Sequence, residues 1–91
     1  MANICIHCFV SGRVQGVYYR QTTYKKAQTL GLTGWVKNLD DGRVELIACG
    51  EEEKINLLHQ WLFKGPIAAK VTHVDRRELP WQEFAKFDVT A

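Results

Sequence analysis

Two hydrophobic periods alternate along the chain. Ile4-Cys5-Ile6-His7-Cys8-Phe9-Val10 is a short apolar run rich in β-branched residues, which predicts a strand ending at Ser11-Gly12. Arg13 to Arg20 follows as a short segment with glycines at its turns. A helix is then predicted from about Arg20 to Leu30, because Tyr24, Ala27 and Leu30, with the earlier Val17, recur at helical spacing. Gly31 is its expected stop, since glycine tolerates the left-handed conformation that closes a helix. Gly34 to Leu39 reads as a second strand and Arg43 to Cys49 as a third. Asp40-Asp41-Gly42 forms the turn of the hairpin between them. Glu51-Glu52-Glu53 suits the positive end of a helix dipole. Ile55, Leu58, Trp61 and Leu62 supply the buried stripe of that second helix, which Gly65-Pro66 ends. Lys70 to Leu79 is a fourth strand, Pro80 breaks the run, and Phe84 to Val89 is a short last strand.

The order βαββαβ plus a terminal strand predicts an α+β fold of ferredoxin-like type. It is an antiparallel sheet with two helices on one face and an extra short C-terminal strand. In that plan strands one and two run parallel with strand three between them. Their ends then lie at the same edge of the sheet, which brings the Gly12–Arg20 loop beside Asn38. With 91 residues, 46% hydrophobic, no internal repeat and no linker, the expectation is a single domain over residues 1–91. The net charge of +2 is mild and gives no sign of a nucleic-acid partner. No apolar run reaches the length of a membrane span, and the N-terminus does not look like a secretory signal, so a cytoplasmic protein is expected.

Three cysteines are too few for a secreted disulfide framework. Cys5 and Cys8 have a C-x-x-C spacing, but residues three apart on a strand face opposite ways, which argues against a redox or zinc role. Pairing Val10 with Val44 across strands one and three sets Cys5 opposite Cys49 on the face away from the helices. A disulfide there is geometrically allowed; two reduced thiols are the favoured expectation in a reducing compartment. His7, His59 and His73 are scattered without ligand spacing, so neither a metal nor another cofactor is expected.

The chemistry concentrates in the first loop. A glycine-punctuated loop leading from a strand into a helix exposes backbone N–H groups towards one point, and the helix dipole adds to them. Arg20 sits at the start of that helix, where the dipole disfavours a cation. An anion between the N–H groups and the guanidinium would reverse that penalty. The spacing of Gly12 and Gly16 fits no nucleotide-binding motif. Asn38 has an ordinary reading, since asparagine near a turn commonly caps its own backbone. Topology alone sets it beside the loop.

The stretch Gly12-Arg13-Val14-Gln15-Gly16-Val17-Tyr18-Tyr19-Arg20 resembles the acylphosphatase signature G-R-V-Q-G-V-x-[FY]-R. Gly34-Trp35-Val36-Lys37-Asn38-Leu39-Asp40-Asp41-Gly42-Arg43-Val44-Glu45 is similar to that family's second signature, and the likeness covers essentially the whole chain. The resemblance implies hydrolysis of a carboxylic–phosphoric anhydride to a carboxylate and inorganic phosphate. Arg20 would bind the phosphoryl group, Asn38 would orient the attacking water, and the backbone of Gln15, Gly16, Val17, Tyr18 and Tyr19 would form the phosphate cradle. It implies a small-molecule acyl phosphate as partner, with inorganic phosphate as product and competitive ligand, and a monomer without cofactor. In some members the chain end packs near the arginine; the tail here, Phe87 to Ala91, has no terminal aromatic or basic residue. The competing expectation is a ferredoxin-like module that binds nucleic acid or a phosphometabolite without turnover. RNA-recognition domains of this shape stack bases on aromatics of strands one and three. The third strand here has none, and Phe9 stands alone on the first.

Overall fold

The computed structural model describes residues 2–90. The elements are β1 (Asn3–Arg13), α1 (Tyr19–Thr29), β2 (Thr33–Asn38), β3 (Val44–Glu51), α2 (Glu52–Leu62), β4 (Lys70–Leu79) and β5 (Phe87–Val89). They build the ferredoxin-like α+β fold with the sheet order β4-β1-β3-β2-β5. The ladder is antiparallel except at one edge, where β5 runs parallel to β2.

Register decides what faces what. Val10 of β1 lies opposite Val44 of β3, and so does Asn38 of β2 from the other side. Cross-strand neighbours share a face of the sheet. Val10 and Val44 belong to the core beneath the helices, with Ile6, Cys8, Val36, Leu46 and Ala48. Asn38 therefore projects towards the helix side.

The first helix buries a different stripe from the expected one. Tyr19, Thr23 and Ala27 are fully inside, while Tyr24 and Leu30 are only half-buried. Two polar groups in that stripe are satisfied locally. The Thr23 hydroxyl donates to the Tyr19 carbonyl (2.7 Å), and the Tyr19 hydroxyl donates to the Leu62 carbonyl (2.7 Å) at the end of α2. The second bond removes an orphan acceptor that a helix end would otherwise bury. Burial pushes the Tyr19 phenol up, with Cys8 adding to it. At the far end Gly31 is left-handed (φ 71°). Leu32 N–H reaches the Ala27 carbonyl (2.9 Å) and Gly31 N–H the Gln28 carbonyl (3.0 Å), closing the helix as a Schellman motif. In α2 the buried stripe is Ile55, Leu58 and Leu62, with Trp61 at its margin. The last strand begins at Phe87 rather than Phe84, because its pairing with β2 starts at Gly34 opposite Phe87.

Cys5 and Cys49 are opposed in the expected register, with Cα atoms 4.1 Å apart, and the structure joins them in a disulfide where reduced thiols were favoured. Gln82 N–H donates to Cys5 Sγ (3.3 Å), so the segment after β4 covers the bridge. Cys8 points the other way into the core, and burial raises its thiol to about 12. A non-reduced, unfolded sample is expected to show one reactive thiol and a reduced one three, with Cys8 silent in the native protein. Three thiols without reductant would exclude the bridge.

His59 on α2 is flanked by Phe63 and by Arg76 of β4, whose Nη1 donates to His59 Nδ1 (3.2 Å) and to Asn56 Oδ1 (3.0 Å). Desolvation first, and the Arg76 charge second, hold the imidazole below its ordinary 6.5. The folded chain thus takes up this proton later than the unfolded chain as pH falls. Stability from this site is full above pH 6.5 and declines below it. The urea midpoint is expected to drop between pH 7 and pH 5 by more in wild type than in His59→Asn; equal slopes would discharge His59 from the effect.

Candidate active site

The loop between β1 and α1 turns on two left-handed residues, Gly16 (φ 74°) and Tyr18 (φ 63°). Tyr18 stands at the N-cap of α1 without a side-chain cap, and its ring is 76% exposed. A left-handed non-glycine residue is uncommon and costly, so the surrounding structure must hold it there. The first helical bond runs from Thr22 N–H to the Tyr18 carbonyl (3.0 Å). Among the described residues the N–H groups of Gly16 to Gln21 find no carbonyl acceptor. They form a run of free donors at a helix N-terminus with no acidic residue in its first turn.

Arg20 is the second residue of α1 and half-buried. Its Nη1 donates to the Thr90 carbonyl (2.8 Å). Thr90 N–H in turn donates to the Val36 carbonyl of β2 (2.8 Å). Among the described residues Arg20 forms no ion pair. A cation in the first helical turn costs ~0.3–1 kcal/mol. A hydrogen bond from a charged donor returns ~1.5–3 kcal/mol. The Thr90 carbonyl therefore more than offsets the misplaced charge, and among the described residues it is the one hydrogen-bond partner of the guanidinium. The terminal carboxylate belongs to Ala91, outside the described residues.

A cavity of about 280 Å³ lies at this point, lined by Val14, Gly16, Tyr18, Tyr19, Arg20, Gln21 and Asn38. The structure thus brings Arg20 and Asn38 to one cavity with Gly16, Tyr18 and Tyr19. Gln15 and Val17 do not line it. Val17 is buried in the core, and the Gln15 side chain turns to the β2–β3 hairpin. Asn38 does not cap its turn: its Oδ1 is buried and, among the described residues, has no hydrogen-bond partner. Asp41 does that work, accepting from Arg43 N–H (3.0 Å) and from Arg43 Nε (2.8 Å), and those bonds hold its carboxyl below the usual range. Sequence reasoning did not foresee the Thr90 brace or the Gln15 contacts. Both use backbone carbonyls as acceptors, and a carbonyl carries no sequence signature.

On the opposite face of the sheet Phe9 is covered by the Arg43 guanidinium at 4.7 Å and Trp35 by Lys37 at 5.4 Å. Both rings are occupied by cations of their own chain, an arrangement unsuited to stacking bases. Among the described residues no three His, Cys, Asp or Glu side chains converge on a metal-sized space, and no helix is long and apolar enough to cross a membrane.

The acylphosphatase family model matches residues 6–89. An acylphosphatase of Pseudomonas paraeruginosa is 53% identical over 89 residues, covering 98% of both chains. One of Legionella pneumophila is 48% identical over 86 residues, covering 94% of both. The solved structure of an acylphosphatase from Coxiella burnetii superposes with a TM-score of 0.94 at 49% identity, covering 97% of this chain and 93% of that one.

The left-handed Gly16 sits in open space, since a Cβ there would meet nothing within 4 Å. Gly16→Ala is therefore expected to lower stability through backbone conformation alone, by about 1–2 kcal/mol, with Gly16→Asn losing less. Urea unfolding measures both; equal losses would point to a steric cause.

Proposed function

Because this chain belongs to the acylphosphatase family and is a hydrolase of acyl phosphates, we propose that Arg20 and the free N–H groups of the loop bind the phosphoryl group while Asn38 orients the attacking water. One observation carries the assignment of Asn38. Asn38 lines the same cavity as Arg20, Gly16, Tyr18 and Tyr19, so a water held by its side-chain amide would stand beside the phosphoryl site.

The reaction suits such a site. The bond broken joins phosphorus to a carboxylate oxygen, and the leaving carboxylate is a weak base that needs no strong general acid. Phosphoryl transfer depends mainly on positioning and on stabilising charge at the equatorial oxygens. The guanidinium fork and the free N–H groups of the Gln15–Tyr19 cradle supply that stabilisation, fixed in place before substrate arrives. Asn38 supplies the in-line geometry. The proton of the attacking water passes to a phosphoryl oxygen, and the products are the free acid anion and inorganic phosphate, which competes for the same donors. The leaving group's weak basicity also supports a metal-independent reaction.

The reading includes one domain over residues 1–91, working as a cytoplasmic monomer. A single core of buried residues drawn from both helices and all five strands supports the single domain. A module that binds without turnover is not favoured by the family.

Hydrolysis of a simple acyl phosphate tests the assignments. Arg20→Ala is expected to lose at least ~10²–10³ in rate and to weaken phosphate inhibition. Asn38→Ala is expected to lose rate while keeping phosphate affinity, and a chelator is expected to change nothing. Near-normal turnover by Arg20→Ala would refute the phosphate-binding role.

A further inference from the structure

The Gln15 side chain turns away from the cavity, towards the β2–β3 hairpin. Its amide nitrogen donates to the Leu39 carbonyl (2.8 Å) and to the Arg43 carbonyl (2.9 Å). These carbonyls are the throat of the β2–β3 hairpin. Leu39 N–H already donates to the Arg43 carbonyl (2.8 Å), and Gly42 N–H to the Leu39 carbonyl (3.2 Å). Both amide protons of Gln15 are therefore spent on one pair of acceptors, and each acceptor receives a second bond. Leu39 follows Asn38 directly in the chain, and Gly16, which lines the cavity, follows Gln15.

We infer that Gln15 is a positioning residue for hydrolysis: its side chain fixes the hairpin, and with it Asn38, at a set distance from the phosphate-binding loop. This rests on the roles proposed above for Arg20 and Asn38. The loop leaves β1 and Asn38 ends β2, strands that are not bonded to each other because β3 lies between them. Backbone pairing alone thus leaves loop and hairpin tip tied only through the ladder behind them. The two Gln15 bonds, spanning 24 and 28 residues, tie them at the front. An in-line attack is sensitive to this distance, since a misplacement of about 1 Å can cost ~10²-fold in rate. A chain-length match is required as well: the glutamine must reach across while its own backbone stays in the loop.

The test compares Gln15→Met, Asn38→Ala and the double variant with wild type on a simple acyl phosphate, well below each melting temperature. Gln15→Met keeps the length of the side chain and removes both donors. Its kcat is expected to fall ~10–10²-fold with inhibition by inorganic phosphate within about threefold of wild type. In the Asn38→Ala background the same change is expected to cost less than about threefold, because the effect runs through Asn38. Unchanged kcat, a loss fully additive with Asn38→Ala, or weakened phosphate inhibition would each overturn the inference. A purely stabilising role would lower the melting temperature and leave kcat and phosphate inhibition alone. Asn38→Ala by itself reports on the underlying assignment: if it keeps full rate, the water-orienting role fails, whatever Gln15 does. Should Gln15→Met not fold, Gln15→Glu carries the test, since its protonated carboxyl can donate one of the two bonds. Its kcat relative to wild type is expected to rise as pH falls through that carboxyl's titration, and a flat ratio would count against the role.

Discussion

The rung Val10–Val44–Asn38 is the constraint on which the rest of the molecule hangs. A strand spacing is ~4.8 Å, so the last core residue of β1 and the last residue of β2 stand roughly 10 Å apart across β3. Shifting β3 by one residue against either neighbour would turn every side chain of that strand to the other face. Val44, Leu46 and Ala48 would leave the core, and Asn38 would no longer share a face with the loop that follows Val10. The buried apolar residues on the three strands therefore fix the register, and the register fixes where two distant polar segments meet. At ~1.5–3 kcal/mol for each fully buried Val, Leu or Ile side chain, this alignment is enforced far more strongly than by any polar contact of the site.

Within that frame the site gathers groups that a folded chain ordinarily avoids. A run of N–H donors is left without acceptors, a cation stands at the wrong end of a helix, a tyrosine takes a left-handed backbone, and an amide oxygen is buried without a partner. Each is unfavourable by itself, and the anion and water of the proposed function are what would offset them. The neighbouring bonds hold the arrangement open. Thr90 anchors Arg20 from the tail, and Tyr19 anchors the helix start by reaching the end of α2.

Much of this was legible in the residues, and what was not has a physical cause. The order of elements, the hairpin at Asp40-Asp41-Gly42 and the opposition of Cys5 to Cys49 follow from period and turn chemistry. The stripe of α1 did not follow, because Thr23 occupies a core position that an apolar count passes over and Tyr19 lies just before the expected helix start. The hydroxyls of both are satisfied by carbonyls, which only three-dimensional packing supplies. The state of Cys5 and Cys49 was judged from compartment, a property outside the chain, whereas their proximity was set by register. Asn38 was placed by topology, but its unsatisfied oxygen could be seen only once every neighbouring donor had a position.

The open edge of the sheet carries the same logic one step further. The tail returns as β5 parallel to β2, and beyond it Thr90 is bonded to Val36 through N–H and to Arg20 through its carbonyl. Parallel pairing is what allows this. A strand running the other way along β2 would finish at the Thr33 end, remote from Asn38 and from the start of α1. By running alongside β2, the tail arrives at the cavity and delivers a neutral acceptor to the guanidinium. The segment that closes the edge of the sheet thus also braces Arg20, a residue of the cavity.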